Sequence, residues 1–358
     1  MGCVEIRRSQ MRVGISFRCA CVVTALIVLT ACGSDGDPVG PDVPDVATLT
    51  VDASEGWAYV RLGEEAQRVT VGDPSQSADW DLAFHSTSVM LNGGNAGPGG
   101  VVGHCLCQNA EASDAEVVAM TAASELDAFL DVGAADVPTS EDAWMSDALV
   151  PVIDGWYAYD FATHTVSAAP EAVWVVRTAE GDTYAKFHVI GIDGATQANA
   201  GRITIEYALQ PEAAASMGEP DTAVVDVSGG PVHFDLVMGD ESDGTDWDLR
   251  FEGYTIRVNG GVSGGGEAGA VAAGDSFEAF EDASEIPSTL YRGDTYGGVF
   301  DAHRWYRYDL EGNHQIWPTY DVYLIRRGAA VYKLQLVGYY GETGDSRQIT
   351  FRYARLEE

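Results

Sequence analysis

Runs in which apolar and polar residues alternate recur along most of the chain. Trp57-Ala58-Tyr59-Val60-Arg61-Leu62, Val173-Trp174-Val175-Val176-Arg177, Ala185-Lys186-Phe187-His188-Val189-Ile190 and Ile203-Thr204-Ile205-Glu206-Tyr207 have the period of two that turns one face of a strand to a core. Asp321-Val322-Tyr323-Leu324-Ile325, Val331-Tyr332-Lys333-Leu334-Gln335-Leu336 and Ile349-Thr350-Phe351-Arg352-Tyr353 do the same near the C-terminus. Clusters of Gly, Asp and Asn separate these runs, as hairpin turns require. The pattern predicts a mostly β, antiparallel architecture.

The pattern is also stated twice. Trp80-Asp81-Leu82-Ala83-Phe84 precedes Asn92-Gly93-Gly94, and Trp247-Asp248-Leu249-Arg250-Phe251 precedes Asn259-Gly260-Gly261, with 12 residues from Trp to Asn in both. Trp156-Tyr157-Ala158-Tyr159-Asp160 leads to Arg177, and Trp305-Tyr306-Arg307-Tyr308-Asp309 to Arg326, with 21 residues from Trp to Arg in both. Equal spacing of bulky aromatics and turn residues marks a duplicated unit. Two tandem all-β domains are therefore expected, at 48–212 and 222–358, joined by a linker at 213–221. The glycine runs after Asn92 and Asn259 read as tight turns.

One segment breaks the β pattern. Ser113 and Glu116 have capping-box spacing, and Val117, Met120, Leu126, Phe129 and Leu130 fall near a helical stripe. This predicts a short helical insertion in the first domain. The second copy keeps a stub of it, with 46 residues from Asn to Trp against 64 in the first.

The N-terminus carries an address. Arg7, Arg8, Arg12 and Arg18 precede the apolar run Ala20 to Leu29, which is too short to span a bilayer. It ends in Leu29-Thr30-Ala31-Cys32, which resembles a bacterial lipobox. Residues 1–31 then read as a lipoprotein signal peptide, Cys32 as the lipidated residue and 32–47 as a flexible Gly-, Pro- and Asp-rich tether. The expected location is an outer membrane or cell surface, reached through a lipid anchor. Loss of the signal takes the formal charge from −35 to −38. Such a field repels nucleic acid and anionic headgroups, which excludes both as expected partners.

Trp80 to His85, Asn92 to Gly100, Tyr159 to Lys186 and Ile203 to Tyr207 together resemble the HmuY family of haem-binding bacterial lipoproteins. The second copy is similar from Trp247 to Gly266 and from Tyr308 to Tyr353. The resemblance implies an all-β fold, capture of haem at the cell surface and, as partners, a haem-carrying protein or an outer-membrane haem transporter. Haem held without covalent attachment needs axial His, Met or Tyr in an apolar cleft. Phe161-Ala162-Thr163-His164 falls where the family places one ligand, which makes His164 the first candidate. His314 lies one residue later in the equivalent loop of the second copy. The family's second ligand has no counterpart, and His104, Met145 and Met120 are the substitutes. A surface turn histidine that satisfies local backbone groups is the alternative for His164. His85 has Glu252 at its partner position and reads as structural.

Competing chemistry is sparse. His104-Cys105-Leu106-Cys107 suits a soft metal or a local disulfide. Gly261-Val262-Ser263-Gly264-Gly265 matches a nucleophile elbow but lacks the strand-turn-helix context, and no other catalytic motif appears, so no enzyme is expected. A binding or adhesion module that kept the fold without haem is the alternative to haem capture.

Overall fold

The alternating runs form strands close to their expected bounds. Ala58–Arg61, Trp174–Arg177, Thr183–Asp193, Arg202–Pro211, Val322–Arg327, Ala330–Tyr340 and Ser346–Arg355 contain or overlap all of them. The structure is a computed structural model that describes residues 46–211 and 216–357. The signal segment, Cys32, nearly all of the tether and part of the linker lie outside the described residues. Residues Val46 to Glu358 cluster as one compact unit.

Two five-stranded antiparallel sheets dominate, and each draws on both sequence copies. In the first, Thr48–Asp52 pairs with Ser346–Arg355, then Ala330–Tyr340, Val322–Arg327 and finally Val101–Cys105. In the second, Asp221–Asp226 pairs with Arg202–Pro211, then Thr183–Asp193, Trp174–Arg177 and finally Gly269–Ala272. The three long C-terminal strands of each copy are thus flanked by the first and sixth strands of the other copy. Val51 lies opposite Ile349, and Val176 opposite Ala270. The expected linker at 213–221 separates the copies in sequence. Hydrogen bonding changes lobe elsewhere, where Ala148–Val150 and Thr295–Gly297 pair antiparallel as the chain crosses twice.

The cores follow the same exchange. One unites Val60, Leu82, Phe84 and Leu91 with Trp305, Tyr323, Leu334 and Phe351. The other unites Trp156, Val176, Phe187 and Ile205 with Phe234, Leu249, Phe251 and Ile256. A smaller four-stranded sheet completes each lobe, built on Ala58–Arg61 with Leu82–His85 in one and on Val232–Asp235 with Leu249–Glu252 in the other.

The repeat spacings now have causes. Asn92 Nδ2 donates back to the Trp80 carbonyl at 2.8 Å, and Asn259 Nδ2 donates to the Trp247 carbonyl at 2.8 Å. The 12-residue interval is the length of hairpin this side chain closes. The glycines beside them are there for close chain approach rather than turn shape alone. A Cβ on Gly93 would stand 2.0 Å from the Val101 oxygen, and one on Gly260 would stand 2.0 Å from the Ala268 oxygen.

The helical insertion is two short helices, Asp114–Ala119 and Leu126–Asp131, where the stripe suggested one. Ser113 and Glu116 form the capping box, and Phe129 is fully buried. Lys333 anchors the insertion from the other copy. Its Nζ donates to the carbonyls of Phe129, Leu130 and Val132, at 2.8, 3.1 and 2.8 Å. Lys186 treats the stub in the same way, donating to Phe277 and Phe280. Burial lowers the pKa of both lysines.

Candidate functional site

His164 sits in the hairpin formed by Tyr157–Asp160 and Thr165–Ala168. Asp160 shapes the turn by accepting the N–H groups of Ala162 and Thr163 at 2.7 and 3.2 Å, which also lowers its pKa. The chain then takes a left-handed conformation at His164, with φ 54°. Histidine is among the residues that tolerate this. The ring comes back over its own hairpin, and Nδ1 lies 2.8 Å from the Tyr159 hydroxyl. Tyr159 in turn packs edge-on against Phe161, whose side chain is 83% exposed.

A cleft of about 880 Å³ opens beside this hairpin. Tyr157, Tyr159, His164, Val166, Ile192 and Tyr254 wall it together with Thr165 and the polar loop 193–197. Tyr254 comes from the second copy, through the turn after Leu249–Glu252. Its ring packs at a tilt against Tyr157, with centroids 5.0 Å apart, and its hydroxyl donates to the Thr196 carbonyl at 2.5 Å. Burial, and secondarily Tyr157, raises its phenol pKa, so it is held protonated. The site is therefore assembled across the copy exchange, with histidine from one copy and an aromatic wall from both.

The second hairpin, Tyr306–Tyr308 with Ile316–Pro318, repeats the device. His314 has φ 58°, and its Nδ1 lies 3.0 Å from the Tyr308 hydroxyl. The extra residue that displaces His314 in sequence is absorbed in the turn, where Asp309 and Gly312 are also left-handed. The adjoining cleft, about 650 Å³, is walled by Thr87, Arg304, Tyr306, Tyr308, Ile316 and Tyr339, among others. Arg307 also lines it, held by Asp114 at 2.8 Å. Thr87 stands where Tyr254 stands in the first cleft, which makes the second less aromatic on that side.

The other candidates are elsewhere. Neither His104, Met145 nor Met120 lines the cleft that holds His164. His104 lies on Val101–Cys105 with Nδ1 at 2.8 Å from the Ala143 carbonyl. Met145 bridges to Gly103, and Met120 caps the helix Asp114–Ala119. Cys105 and Cys107 are joined in a disulfide, and as such offer a metal no thiolates. The imidazole grouped with the two sulfurs is that of His303, not His104. His85 packs near Trp57 at 5.5 Å, and Glu252 in its partner position pairs with Arg250 and Arg257.

Sequence reasoning missed the tyrosines. Tyr159 and Tyr308 were visible as the repeated Trp-Tyr-x-Tyr-Asp string, but nothing in the spacing said that the second tyrosine would hold the histidine. Tyr254 gave no signal, because its place in the cleft depends on the exchange.

Residues 53–207 match the family model described as HmuY protein. A search of curated proteins finds no match. Among solved structures, a putative lipoprotein from Bacteroides fragilis is similar at 17% identity, covering 46% of this chain and 95% of its own, with a TM-score of 0.17. A putative HmuY-like heme binding protein from Bacteroides vulgatus is similar at 12% identity, covering 42% of this chain and 90% of its own, with a TM-score of 0.16.

Proposed function

We propose that the chain binds haem in the cleft between the His164 hairpin and Tyr254, a reading supported by the match of residues 53–207 to the HmuY family model. One observation carries the reading. His164 Nδ1 is engaged by the Tyr159 hydroxyl at 2.8 Å, so Nε2 is the nitrogen left for a metal. Metal-binding histidines commonly have the other ring nitrogen fixed in this way, which sets tautomer and orientation. Tyr157, Tyr254, Val166 and Ile192 would supply aromatic and aliphatic contacts for one side of a porphyrin. His164 is the one His or Met among the residues lining the cleft and would hold the iron first, with the phenols of Tyr157, Tyr159 and Tyr254 lining the same cleft. Holding haem mainly through one imidazole would suit capture followed by release.

The N-terminal pattern supports display of this site on a lipid anchor at Cys32, at an outer membrane or cell surface. No helix among the described residues is long and apolar enough to cross a membrane. Delivery to an outer-membrane haem transporter is the corresponding partner proposal. The exposed Phe161 favours a second reading, in which the hairpin grips a protein surface and no haem is involved.

The test is a haemin titration of the form lacking residues 1–32, followed in the Soret region, with His164→Ala and His314→Ala in parallel. Saturable binding that weakens by tenfold or more in His164→Ala supports the reading. Binding unchanged by either variant, or absent at micromolar haemin, overturns it in favour of the protein-binding module.

A further inference from the structure

The duplication places two buried carboxylates in equivalent positions and treats them differently. Asp81 and Asp248 each follow the repeat tryptophan directly, and both accept a backbone N–H through Oδ2, from Leu62 at 2.7 Å and Leu236 at 2.9 Å. Both are nearly inaccessible, at 1% and 4%. In the first lobe the guanidinium of Arg327 covers Asp81, with Nη1 at 2.9 and 2.7 Å from the two carboxylate oxygens. Arg327 stands 22 residues after Trp305, and the residue 22 after Trp156 is Thr178. A second cation is lost as well, since Arg61 of the first lobe corresponds to Asp235 of the second.

Where Arg327 would lie, the second lobe has a cleft of about 630 Å³. Thr178, Asp235, Met238, Asp246, Trp247 and Asp248 line it, and no Lys, Arg or His does so among the described residues. The Thr178 side chain is 2% exposed, and its Oγ1 has no hydrogen-bond partner. A buried hydroxyl without a partner is costly, and it identifies a polar group prepared for something the chain does not supply. Asp248 Oδ1 accepts only the Ala179 N–H, at 2.7 Å, in place of the guanidinium.

We propose that this cleft is a binding site for a guanidinium group supplied by a ligand, which takes the place that Arg327 holds in the first lobe. Asp248 and Asp235 furnish the charge, and Thr178 Oγ1 accepts a further N–H. The Trp247 ring gives a planar cation an aromatic wall. Burial raises the Asp248 pKa while the cleft is open, so a bound cation would also relieve a cost the fold now carries. A guanidinium fits better than an ammonium because the internal model of the ligand is itself a guanidinium, with donors in a planar fork. The bearer is either a free small molecule or an arginine side chain of an extended peptide.

Calorimetric titration with agmatine and with the peptide Gly-Gly-Arg-Gly-Gly tests the proposal. The protein, lacking residues 1–32, should bind one equivalent saturably. Thr178→Arg builds the first-lobe arrangement into the second lobe and should weaken binding by about tenfold or more. Asp246→Lys, at an exposed position on the rim, should weaken it several-fold without touching the interior. It serves as the variant of record if Thr178→Arg fails to fold. Tighter binding of agmatine identifies a small ligand, and tighter binding of the peptide identifies an arginine side chain. Heats that do not saturate at millimolar probe, or that are equal in both variants and vanish with salt, reflect only the acidic surface and overturn the proposal.

Discussion

The two lobes share strand order, core pattern and the Trp-Asp-Leu-x-Phe string, yet they resolve one buried charge in two ways. In the first, Asp81 is neutralised by Arg327 from the other copy. In the second, Asp248 is held by two backbone N–H groups and faces a cleft. The difference shows that the scaffold needs the carboxylate to tie the strand after Trp-Asp to its neighbour. It does not need the cation. What fills the remaining space is free to vary, and that is where two copies of one fold can acquire separate roles.

The strongest way to break the comparison is to separate the copies. Each principal sheet contains strands from both, so neither copy can complete its hydrogen bonding alone. A protease site placed within 212–215 should yield two fragments that remain associated on native gel filtration and separate only on denaturation. Fragments that part under native conditions would show that the copies fold independently. A second, smaller break is Arg327→Ala. It leaves Asp81 buried and unpaired at the cost of about 3–5 kcal/mol, measurable by urea unfolding. Thr178→Val, its counterpart, keeps the shape and removes a hydroxyl that satisfies nothing, so it should cost less than about 0.5 kcal/mol or stabilise. Equal costs would mean that the lobes are not electrostatically distinct.

Much of this architecture was legible in the chain. Alternation gave the long strands, and the Trp-to-Asn interval announced the repeat before its cause, the Asn side chain closing on the Trp carbonyl, was known. The exchange of strands was not legible. Hydrophobic period fixes which face of Asp221–Asp226 is buried, but it is the same whether that strand joins its own copy or the other. His164 was singled out by its place in the string, but that His314 takes the same hairpin position was not legible, because counting residues cannot see a left-handed turn absorb one of them. Tyr254 was invisible for the same reason as the exchange.

The crossing segments sharpen the comparison further. Asp147 and Asp294 occupy equivalent places there, accepting the N–H groups of Leu91 at 2.9 Å and Val258 at 3.1 Å. Burial raises both pKa values, but hydrogen bonds, among them the N–H groups of Val152 and Val258, and then Arg257 moderate Asp294, whereas Asp147 has the Leu91 N–H against it and Asp301 adds to its rise, to about 7. The folded pKa therefore lies above the unfolded value of 3.8. Between these limits the folded state holds a proton that the unfolded state has released, so this group's contribution falls as pH rises from about 4 to about 7. The loss is at most about 4 kcal/mol. Asp147→Asn should remove that decline, leaving the variant more stable than the parent at pH 8 and little different at pH 4. An unchanged pH profile of the melting temperature would show that Asp147 is not the group responsible.

The finest comparison is between the two hairpins. Tyr159 and Tyr308 hold their histidines through single exposed hydrogen bonds. Replacing either with Phe keeps the ring and removes the hydroxyl, so stability should change by less than about 0.5 kcal/mol. Ligand binding should respond more than stability does. An unheld imidazole samples several rotamers, and ordering it on binding costs about 0.5–1 kcal/mol, or a factor of a few in haemin affinity. Tyr159→Phe should show that loss in full, because its cleft has the Tyr157 and Tyr254 wall. Tyr308→Phe should show little, because Thr87 replaces that wall and the porphyrin has less to rest on. If both variants weaken haemin equally, the wall contributes nothing and the two hairpins are equivalent sites. If neither does, the tyrosine–histidine pair shapes the turn and takes no part in binding.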